Sequence, residues 1–582
     1  MVHVTRIYIC CLLVSLPLKF GNVIPNMEQS FFPLTIWEWM LTPWAPFMFP
    51  VLIAPVLMAT AFSARHQRLT KEQWLLVAGF GGLLLAALVG LIRTTEWDYA
   101  QLFIWHILGM LGLVLGALLQ NAVDPAFRKW ALVCVAAGVV CAAITGWTEN
   151  YGDINERTID YLRQQAPAAA DPEFLADMER RLESGRARGP FANPNSFAAH
   201  LILTIPLAVA LFWGLGKSFA PARVSCPALA AAAGILTGWA LVMTRSRAGL
   251  AAAAGGVALT VLVAGVKERR HVRKALALCA LVTLVAVGGL LAVNQGRTFS
   301  SLGKRGGYLQ AGIEMFFEAP ITGVGVGEYF PWYMRLKAGS STGKGDDEVT
   351  RVPHNVATLF FSQCGIVGVL AVVFWGGCCV IVPARLIRRR KRSDWLDVAL
   401  FAGAVAWLGH ALLDFNFQIA GTAGTFAVLV ALLAVGEKDS VSLPDTSASP
   451  LHLWRQLAVT ALAVICFAGI WRWPGEKAYQ EFYQAMEAGE PWETCRPLGE
   501  TARRKLPFSP YPDMVMGRLC VEENRLPESI HHIEQALERA PHRGSLWHVL
   551  ARLKHATGDR QGAREAYLKA RIWDRGPHGG KP

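Results

Sequence analysis

The chain has 582 residues, of which 53% are hydrophobic and only 17% are charged. Soluble domains usually hold about 25% charged residues, so this composition excludes an ordinary soluble protein. The formal net charge is +13 at pH 7, but most of the basic excess lies in short segments beside apolar runs, where membrane topology places it. We therefore predict a protein that contacts membrane lipid and has no nucleic-acid partner.

Apolar runs of roughly 17 to 25 residues recur along the chain, long enough to cross a hydrocarbon core of ~30 Å as helices. The N-terminal segment, residues 1–40, contains a short apolar stretch at 6–20 that is either a first span or a signal-like anchor. The predicted fold class is all-α, a polytopic membrane helix bundle of about 12–13 spans in residues 41–473, followed by a helical tail. The further spans are predicted at 44–62, 73–92, 102–120, 130–147, 197–214, 227–243, 248–266, 275–293, 356–383, 397–413, 417–436 and 453–472.

Basic residues predict which side of the membrane each connection faces. The strongest clusters are KERRHVRK at 267–274 and RLIRRRKR at 385–392. When the spans are counted, the short basic connections all fall on one side, which the positive-inside rule makes cytoplasmic. The other side receives two large loops, residues 148–196 and 294–354, and the tail. We expect a multi-pass protein of the bacterial inner (cytoplasmic) membrane, with these loops and the tail in the periplasm.

The loop of residues 294–354 is the strongest candidate for function, because long loops between spans tend to carry it. It contains an amphipathic helical stretch and the glycine-spaced turn Gly323-Val-Gly325-Val-Gly327. Its basic side chains and its histidine suit anion binding and proton transfer. These residues are Arg297, Lys304, Arg305, Arg351 and His354. We interpret the loop as the catalytic loop of an integral-membrane enzyme.

Two further arginines, Arg245 and Arg247, lie between two predicted spans with almost no loop. Charge at that depth is costly and usually functional, and the planar guanidinium matches phosphate oxygens. The alternative is that both side chains snorkel to the headgroup region. Arg305 has no such depth argument and on its own reads as a solvated loop charge.

His354 stands directly before a predicted span, in the tripeptide Pro353-His354-Asn355. A histidine there is either a hydrogen-bonded structural residue or a base that takes a proton from a hydroxyl at neutral pH. His410 and Asp414 lie four residues apart near the outer end of a later span. They either orient the site or satisfy one another on one helix face.

The loop of residues 148–196 ends at a membrane entry with the sequence RGPFANPN. Arg188 and Asn195 are supporting candidates there, although turn and cap chemistry explains Pro and Asn equally well. The stretch DPEFLADMERRLESGRARG, before it, predicts a surface helix.

The sequence carries no signal for a metal or a cofactor. No P-loop, HExxH or paired zinc-ligand motif occurs, and no βαβ pattern surrounds the glycine turn. Most of the twelve cysteines lie in or beside apolar runs and read as small buried hydrophobes. Cys495 and Cys520 lie in the tail and are able to pair only if the tail is outside the cytoplasm.

The tail, residues 474–582, has an internal period of 34 residues, which separates Gly517 from Ala551 and Ala536 from Ala570. Its last unit, Trp547 to Ala570, resembles a tetratricopeptide repeat. A stack of fewer than three repeats is marginal alone, so the tail is expected to lean on the membrane domain. Such a tail either recruits a protein partner or serves as scaffolding.

Five stretches, taken in order, resemble the O-antigen ligase/polymerase superfamily of bacterial membrane glycosyltransferases. The resemblance covers roughly residues 40–436 and includes the large outer loop between the same kinds of span. The matching stretches are PFANPNSFAAHLILTIPL (190–207), TRSRAGLAAA (244–253), KRGGYLQAGIEMFFEAPITGVGVGEYF (304–330), PHNVATLFFSQCGIVG (353–368) and HALLDFNFQIAGT (410–422).

The resemblance implies a donor glycan carried on undecaprenyl pyrophosphate and transferred to an acceptor hydroxyl, without a nucleotide sugar or a metal. By position it implies that Arg245, Arg247 and Arg305 bind the diphosphate. It implies that His354 activates the acceptor hydroxyl or assists the departing diphosphate, with Asn355 in the same motif. We expect single displacement with inversion at the anomeric carbon.

Two features depart from the family pattern. Gln363 stands where the family often has Glu, which removes a carboxylate base, and the tail occurs in only some relatives. The acceptor stays open between lipid A core (a ligase), a growing glycan (a polymerase) and a protein Ser or Thr (an O-oligosaccharyltransferase).

The alternative function is a transporter or flippase of lipid-linked glycans. That class predicts internal pseudo-repeats of spans with broken helices near the midplane, whereas the charges here cluster at one face. A membrane-anchored repeat adaptor leaves the dozen spans and the outer arginines unexplained.

Overall fold

The computed structural model describes residues 1–22, 32–64, 67–152, 182–218, 225–265, 295–336, 352–389, 395–435 and 450–574. These residues form helices and their connections, with no strand among them, so the predicted all-α fold class is confirmed. The physical reason is that a helix satisfies its backbone hydrogen bonds within one segment, as lipid requires.

The first part of the membrane domain consists of helices that match the predicted spans to within a few residues, except for the short helix α2, which was not predicted. Helix starts follow local capping chemistry, as at Thr70, whose backbone N–H donates to Oε1 of Gln73 at 2.9 Å. The helices are α1 (Val2–Lys19), α2 (Ile36–Leu41), α3 (Met48–Ser63), α4 (Lys71–Gly90), α5 (Trp97–Val123), α6 (Phe127–Tyr151), α7 (Pro194–Ser218), α8 (Ser225–Met243) and α9 (Arg247–Gly265).

The second part carries the candidate loop. Its helix α10 is the predicted amphipathic stretch: it buries Tyr308 and Met315 and exposes Leu309, Ile313 and Phe317, as a helix at a membrane surface does. The helices are α10 (Gln295–Glu318), α11 (Tyr329–Leu336), α12 (Val356–Arg389), α13 (Trp395–Ala411), α14 (Ala420–Leu433) and α15 (Pro450–Ala468).

Among the described residues, six helical segments are long and apolar enough to cross a membrane: Val2–Lys19, Lys71–Arg93, Trp97–Val123, Phe127–Tyr151, Val356–Arg389 and Leu453–Glu487. Four shorter apolar helices also coincide with predicted spans: Met48–Ser63, Ala231–Met243, Leu396–Ala411 and Ala420–Leu433. The span predicted at 275–293 lies outside the described residues. The chain is a multi-pass membrane protein, and the count of 12–13 spans stays a prediction.

Helix α5 lies at the centre of the bundle and packs against α3, α4, α14 and α15. Glycines allow its close approach to α3: a Cβ added to Gly109 would lie 2.6 Å from the Phe49 ring, and one on Gly112 would lie 2.9 Å from Ile53. Small residues at helix crossings are the usual device for tight packing in lipid.

The glycine turn fastens the loop to a kink in α12. Gly323 has a φ of +71° and Gly365, inside α12, has a φ of +61°. The N–H of Val324 donates to the carbonyl of Ser362 at 2.9 Å, and the N–H of Ile366 donates to a carbonyl of the loop at 2.8 Å. The turn is therefore a backbone-to-backbone joint between the loop and the membrane domain.

The described part of the tail, which ends at residue 574, forms six helices that pack in consecutive pairs: α16 (Trp473–Glu487) with α17 (Trp492–Lys505), α18 (Tyr511–Glu522) with α19 (Leu526–Arg539), and α20 (Gly544–Ala556) with α21 (Arg560–Trp573). The 34-residue spacing relates the first helix of one pair to the first helix of the next, since Gly517 lies in α18 and Ala551 in α20. The tetratricopeptide assignment stays a prediction. Cys495 and Cys520 are free, buried thiols.

The last helix pair of the tail rests on α11 and on the connection between α4 and α5. The tail and the candidate loop therefore lie on the same side of the bundle. That this side is periplasmic stays a prediction.

Candidate functional site

A buried carboxylate, Asp414, lies at the centre of the candidate site. It stands in the turn after α13, and its side chain is fully buried. Its Oδ1 lies 3.2 Å from Nδ1 of His354, and its Oδ2 lies 3.9 Å from Nη2 of Arg305. The fold thus joins three predicted site residues from three separate stretches of the chain.

The charge state of Asp414 follows from these neighbours. Burial raises the pKa of Asp414, but the hydrogen bond and charge of His354, with the charges of His410 and Arg305, outweigh it and hold the pKa at about 2. The carboxylate is therefore ionised at neutral pH. It is able to orient the His354 ring and to stabilise a positive charge that develops there.

The His354 ring is fixed on three sides. It stacks on Tyr308 with centroids 5.4 Å apart and planes 17° apart, and it meets the edge of Phe415 at 4.7 Å. Its Nδ1 faces Asp414, so Nε2 is the ring nitrogen left to exchange a proton. The side chain is 24% exposed, which leaves the residue open to a substrate.

Asn355 forms the N-terminal cap of α12. Its Oδ1 accepts hydrogen bonds from the N–H of Ala357 at 2.7 Å and of Thr358 at 3.3 Å. The cap fixes where the helix begins and so fixes the backbone of the neighbouring His354. Its predicted catalytic role stays a prediction.

Arg186 lies in the site although the sequence analysis did not single it out. Its Nε donates to the carbonyl of Thr244 at 2.9 Å, and its Nη2 donates to Oδ1 of Asn195 at 3.1 Å. These bonds tie the end of the 148–196 loop to the turn between α8 and α9. Asn195, a predicted supporting residue, therefore orients an arginine.

The electrostatics of Arg186 show which charges surround it. Burial lowers the pKa of Arg186, and the positive charges of Arg245 and Arg247 lower it further, while the charge of Asp414 opposes them. Arg186 is therefore near enough to the buried carboxylate, and to the two arginines predicted to bind a diphosphate, to be affected by the charge of each. An anion near these guanidinium groups would relieve their mutual repulsion.

The turn that carries the predicted arginines is itself strained. Arg245 has a φ of +49°, a left-handed conformation that non-glycine residues rarely adopt. Its side chain is exposed and its Nη1 donates to the carbonyl of Ser184 at 2.9 Å. Arg247 is the first residue of α9 and is half-buried. Strain of this kind is frequent at binding sites.

Arg188, a predicted supporting residue, forms an ion pair with a glutamate of the membrane domain. Its Nε lies 2.7 Å from Oε1 of Glu149, and its backbone N–H donates to Oε2 of the same carboxylate at 2.8 Å. The N–H of Gly189 donates there as well, at 2.9 Å. Arg188 therefore fastens the loop to the end of α6.

His410 and Asp414 do not hydrogen-bond to each other's side chains. Helix α13 ends at Ala411, and Asp414 lies in the turn that follows, where its backbone N–H donates to the carbonyl of His410 at 3.0 Å. Nδ1 of His410 instead lies 3.1 Å from Oδ1 of Asn416. The side chain of Asp414 contacts His354 instead, so its role in orienting the site stays a prediction.

Three of the predicted loop cations lie wholly or partly outside the described residues. Arg351 lies outside the described residues, and for Arg297 and Lys304 only the helical backbone of α10 is described. In the part of the chain that the structure describes, no group of three or more His, Cys, Asp or Glu is placed to hold a metal ion.

A known protein family matches the part of the chain that carries most of the predicted site residues. Residues 232–373 match the family model described as O-antigen ligase. This match over residues 232–373 supports the resemblance to the O-antigen ligase superfamily. No match was found among curated proteins.

The O-antigen ligase segment contains Arg245, Arg247, Arg305 and His354, and it ends before Asp414. The family match supports a ligase-like or polymerase-like role in glycan transfer, with a lipid-linked glycan as substrate and membrane lipid around the protein. The resemblance drawn from sequence is confirmed at this level.

One departure from the family pattern receives a structural explanation. Gln363 is buried; its Oε1 accepts from the N–H of Gly327 at 2.5 Å, and its Nε2 donates to the carbonyl of Leu359 at 3.3 Å. A glutamate has no amide N–H for the second bond. Gln363 therefore supports the glycine turn through both ends of its amide.

Proposed function

We propose that the protein transfers a glycan from an undecaprenyl-pyrophosphate donor to an acceptor hydroxyl on the outer face of the cytoplasmic membrane. The observation that carries the proposal is the His354–Asp414 contact with Arg305 beside it, next to Arg186 and the strained arginine turn.

The arginines would bind the donor diphosphate. Arg305 lies on the carboxylate side, and Arg186, Arg245 and Arg247 form a positive group whose members repel one another. Diphosphate oxygens bind several guanidinium groups at once through paired hydrogen bonds. Neutralising the diphosphate makes it a better leaving group, which is the task that a metal ion performs in other transferases.

His354 would accept the proton of the acceptor hydroxyl at Nε2. The hydroxyl oxygen forms a bond to the anomeric carbon, and the bond from that carbon to the diphosphate oxygen breaks with its electron pair. The glycan leaves undecaprenyl pyrophosphate in one displacement, with inversion. The ionised Asp414 stabilises the positive imidazole that results, as the carboxylate of a catalytic triad does.

The acceptor defines the subclass of the enzyme. Lipid A core, a growing glycan and a protein Ser or Thr are all hydroxyl acceptors that this chemistry serves. The helical tail, on the same side of the bundle as the site, would be within reach of an acceptor or a protein partner.

The proposal is tested with purified protein in detergent, an undecaprenyl-pyrophosphate glycan and each acceptor class in turn. We expect acceptor-dependent release of undecaprenyl pyrophosphate in the wild type and its loss in His354→Ala and Arg305→Ala. Exposed tail residues supply matched controls, His555→Ala and Arg518→Ala, which should leave the rate unchanged.

A transporter or flippase gives the opposite pattern. Folded wild type would then transfer nothing to any acceptor, yet would move the lipid-linked glycan across liposome membranes. That result would remove the transferase proposal.

A further inference from the structure

We propose that the C-terminal tail is a positioning element for His354, acting through a continuous chain of contacts that runs from His542 and Trp573 to Tyr308. The inference deepens the proposed function and rests on it for its kinetic test, whereas its structural test is independent of any activity.

The first contact joins the tail to the end of the glycine turn. Glu328 is fully buried, and its Oε2 lies 2.8 Å from Nδ1 of His542. Its Oε1 accepts from the N–H of Thr95 at 2.7 Å and the N–H of Glu96 at 2.9 Å. One carboxylate therefore holds together the tail, the α4–α5 connection and the start of α11.

A buried ion pair strengthens the same joint. Arg543, next to His542, pairs with Glu96 and donates to the hydroxyl of Tyr511 at 2.7 Å. Burial lowers the pKa of Arg543, but the charge of Glu96 outweighs it and raises the pKa above its ordinary value. The guanidinium is therefore charged, and removing it would leave Glu96 as an unpaired buried carboxylate.

The second contact is an aromatic cluster on the outer surface of α11. Trp573 stacks on His542 with centroids 3.9 Å apart and meets the edge of Trp332 at 5.6 Å. The guanidinium of Arg335 lies 4.7 Å from the Trp332 ring and 5.3 Å from the Trp573 ring. Rings and a cation at these distances attract one another, so the last tail helix clamps α11.

The third contact carries this arrangement to the site. The hydroxyl of Tyr329, the first residue of α11, donates to the carbonyl of Tyr308 at 3.2 Å. The ring of Tyr333, one turn later, meets the edge of the Tyr308 ring at 5.6 Å. Tyr308 in turn stacks on His354. Displacement of α11 would therefore displace one of the rings that fixes the catalytic imidazole.

The chain of contacts joins three segments, which are the tail, α11 and α10. Each segment also has a contact with the rest of the protein that does not belong to this chain of contacts. The tail is anchored on Glu96, the glycine turn before α11 on Gln363 of α12, and α10 on α12. Loss of the tail contact should therefore loosen α11 without unfolding the bundle. It should lower the turnover number more than the donor affinity, because Arg186, Arg245 and Arg247 lie on other segments.

The test compares His542→Ala and Trp573→Ala with controls at exposed residues, His555→Ala and Trp37→Ala. Hydrogen–deuterium exchange in detergent is read on peptides covering 305–312, 329–336 and 352–358. We expect faster exchange than in the wild type for all three peptides of the two tail variants, and an unchanged exchange rate in the controls. Faster exchange confined to 329–336 would overturn the inference.

The kinetic arm uses the same variants. We expect kcat to fall by about tenfold, the size of one lost hydrogen bond to a charged group, with the donor KM changed less than about twofold. His542→Asn keeps a donor near Glu328 and should restore part of the rate. An unchanged kcat in His542→Ala and Trp573→Ala would also overturn the inference. Absence of transfer in the wild type would instead overturn the proposed function. The hydrogen–deuterium exchange result would then decide whether the tail positions His354.

Discussion

Nδ1 of His354 lies 3.2 Å from Oδ1 of Asp414, a residue 60 positions later in the chain. The pair brings together the start of α12 and the turn after α13. It gives the imidazole a fixed orientation and a buried counter-charge, and Arg305 stands at the other carboxylate oxygen. This is the arrangement expected of a histidine that takes up a proton.

Replacing Asp414 by Asn should lower kcat by about a hundredfold, because the amide neither fixes the tautomer of His354 nor stabilises its positive form. The measurement is the rate of undecaprenyl pyrophosphate release at saturating donor. A folded Asp414→Asn protein, as judged by size-exclusion chromatography, that retains more than half of the wild-type rate would contradict the proton-transfer role.

The same carboxylate makes stability depend on pH at the acid end. The pKa of Asp414 is about 2 in the folded protein, against about 3.9 for an unfolded Asp. Because the folded pKa is depressed, the stabilisation is present above about pH 4 and is lost as the pH falls towards about 2. Thermal unfolding should show wild type above Asp414→Asn at pH 6, with the gap narrowing at pH 3. A gap that stays constant would show that the charge of Asp414 contributes no stability.

Arg186 and Arg188 stand two residues apart but should respond differently to substitution. Arg186→Ala should raise the donor KM by about tenfold, because a hydrogen-bonded guanidinium–phosphate pair contributes roughly 1.5 kcal/mol or more to the free energy of binding. Arg188→Ala should lower the unfolding temperature, because it leaves the Glu149 carboxylate without its guanidinium partner. Equal effects of the two substitutions on donor KM would refute the assignment.

The kink in α12 leaves no room for a side chain at Gly365. A Cβ on Gly365 would lie 2.5 Å from the carbonyl oxygen of Ile321, at a backbone φ of +61°. Gly365→Ala should destabilise the protein by roughly 1–3 kcal/mol. Gly376→Ala in the same helix is the control, since a Cβ there meets nothing within 4 Å. Equal unfolding temperatures for the two variants would contradict the joint between loop and helix.

Much of the fold could be predicted from the sequence, because apolar length and local capping decide where membrane helices begin and end. The amphipathic α10 was also predicted, and so were Arg305 and His354 as site residues, with Asp414 as a supporting candidate. Helix α14 was predicted as a span at 417–436, yet it has 14 residues, all of them buried, and a helix of about 21 Å is shorter than the hydrocarbon core. Apolar composition alone does not separate a span from a helix enclosed by its neighbours.

Other parts of the site depend on long-range contacts that no local pattern reports. Arg186 and Arg188 carry the same charge in one short stretch, and only the position of Glu149 decides which of them is neutralised. His410 lies in α13, and its side chain contacts Asn416, which lies beyond the end of that helix. The contact between His542 and Glu328 joins residues 214 positions apart, which a periodicity argument does not reach.

The most direct test of the central claim is a single-turnover measurement of glycan transfer with donor already bound. Wild type and His354→Ala are mixed with acceptor after donor binding has been measured for each. The account predicts a transfer rate at least about a hundredfold lower for His354→Ala, the usual range for loss of a general base, with donor affinity changed less than about threefold. Transfer at the wild-type rate by His354→Ala would contradict it.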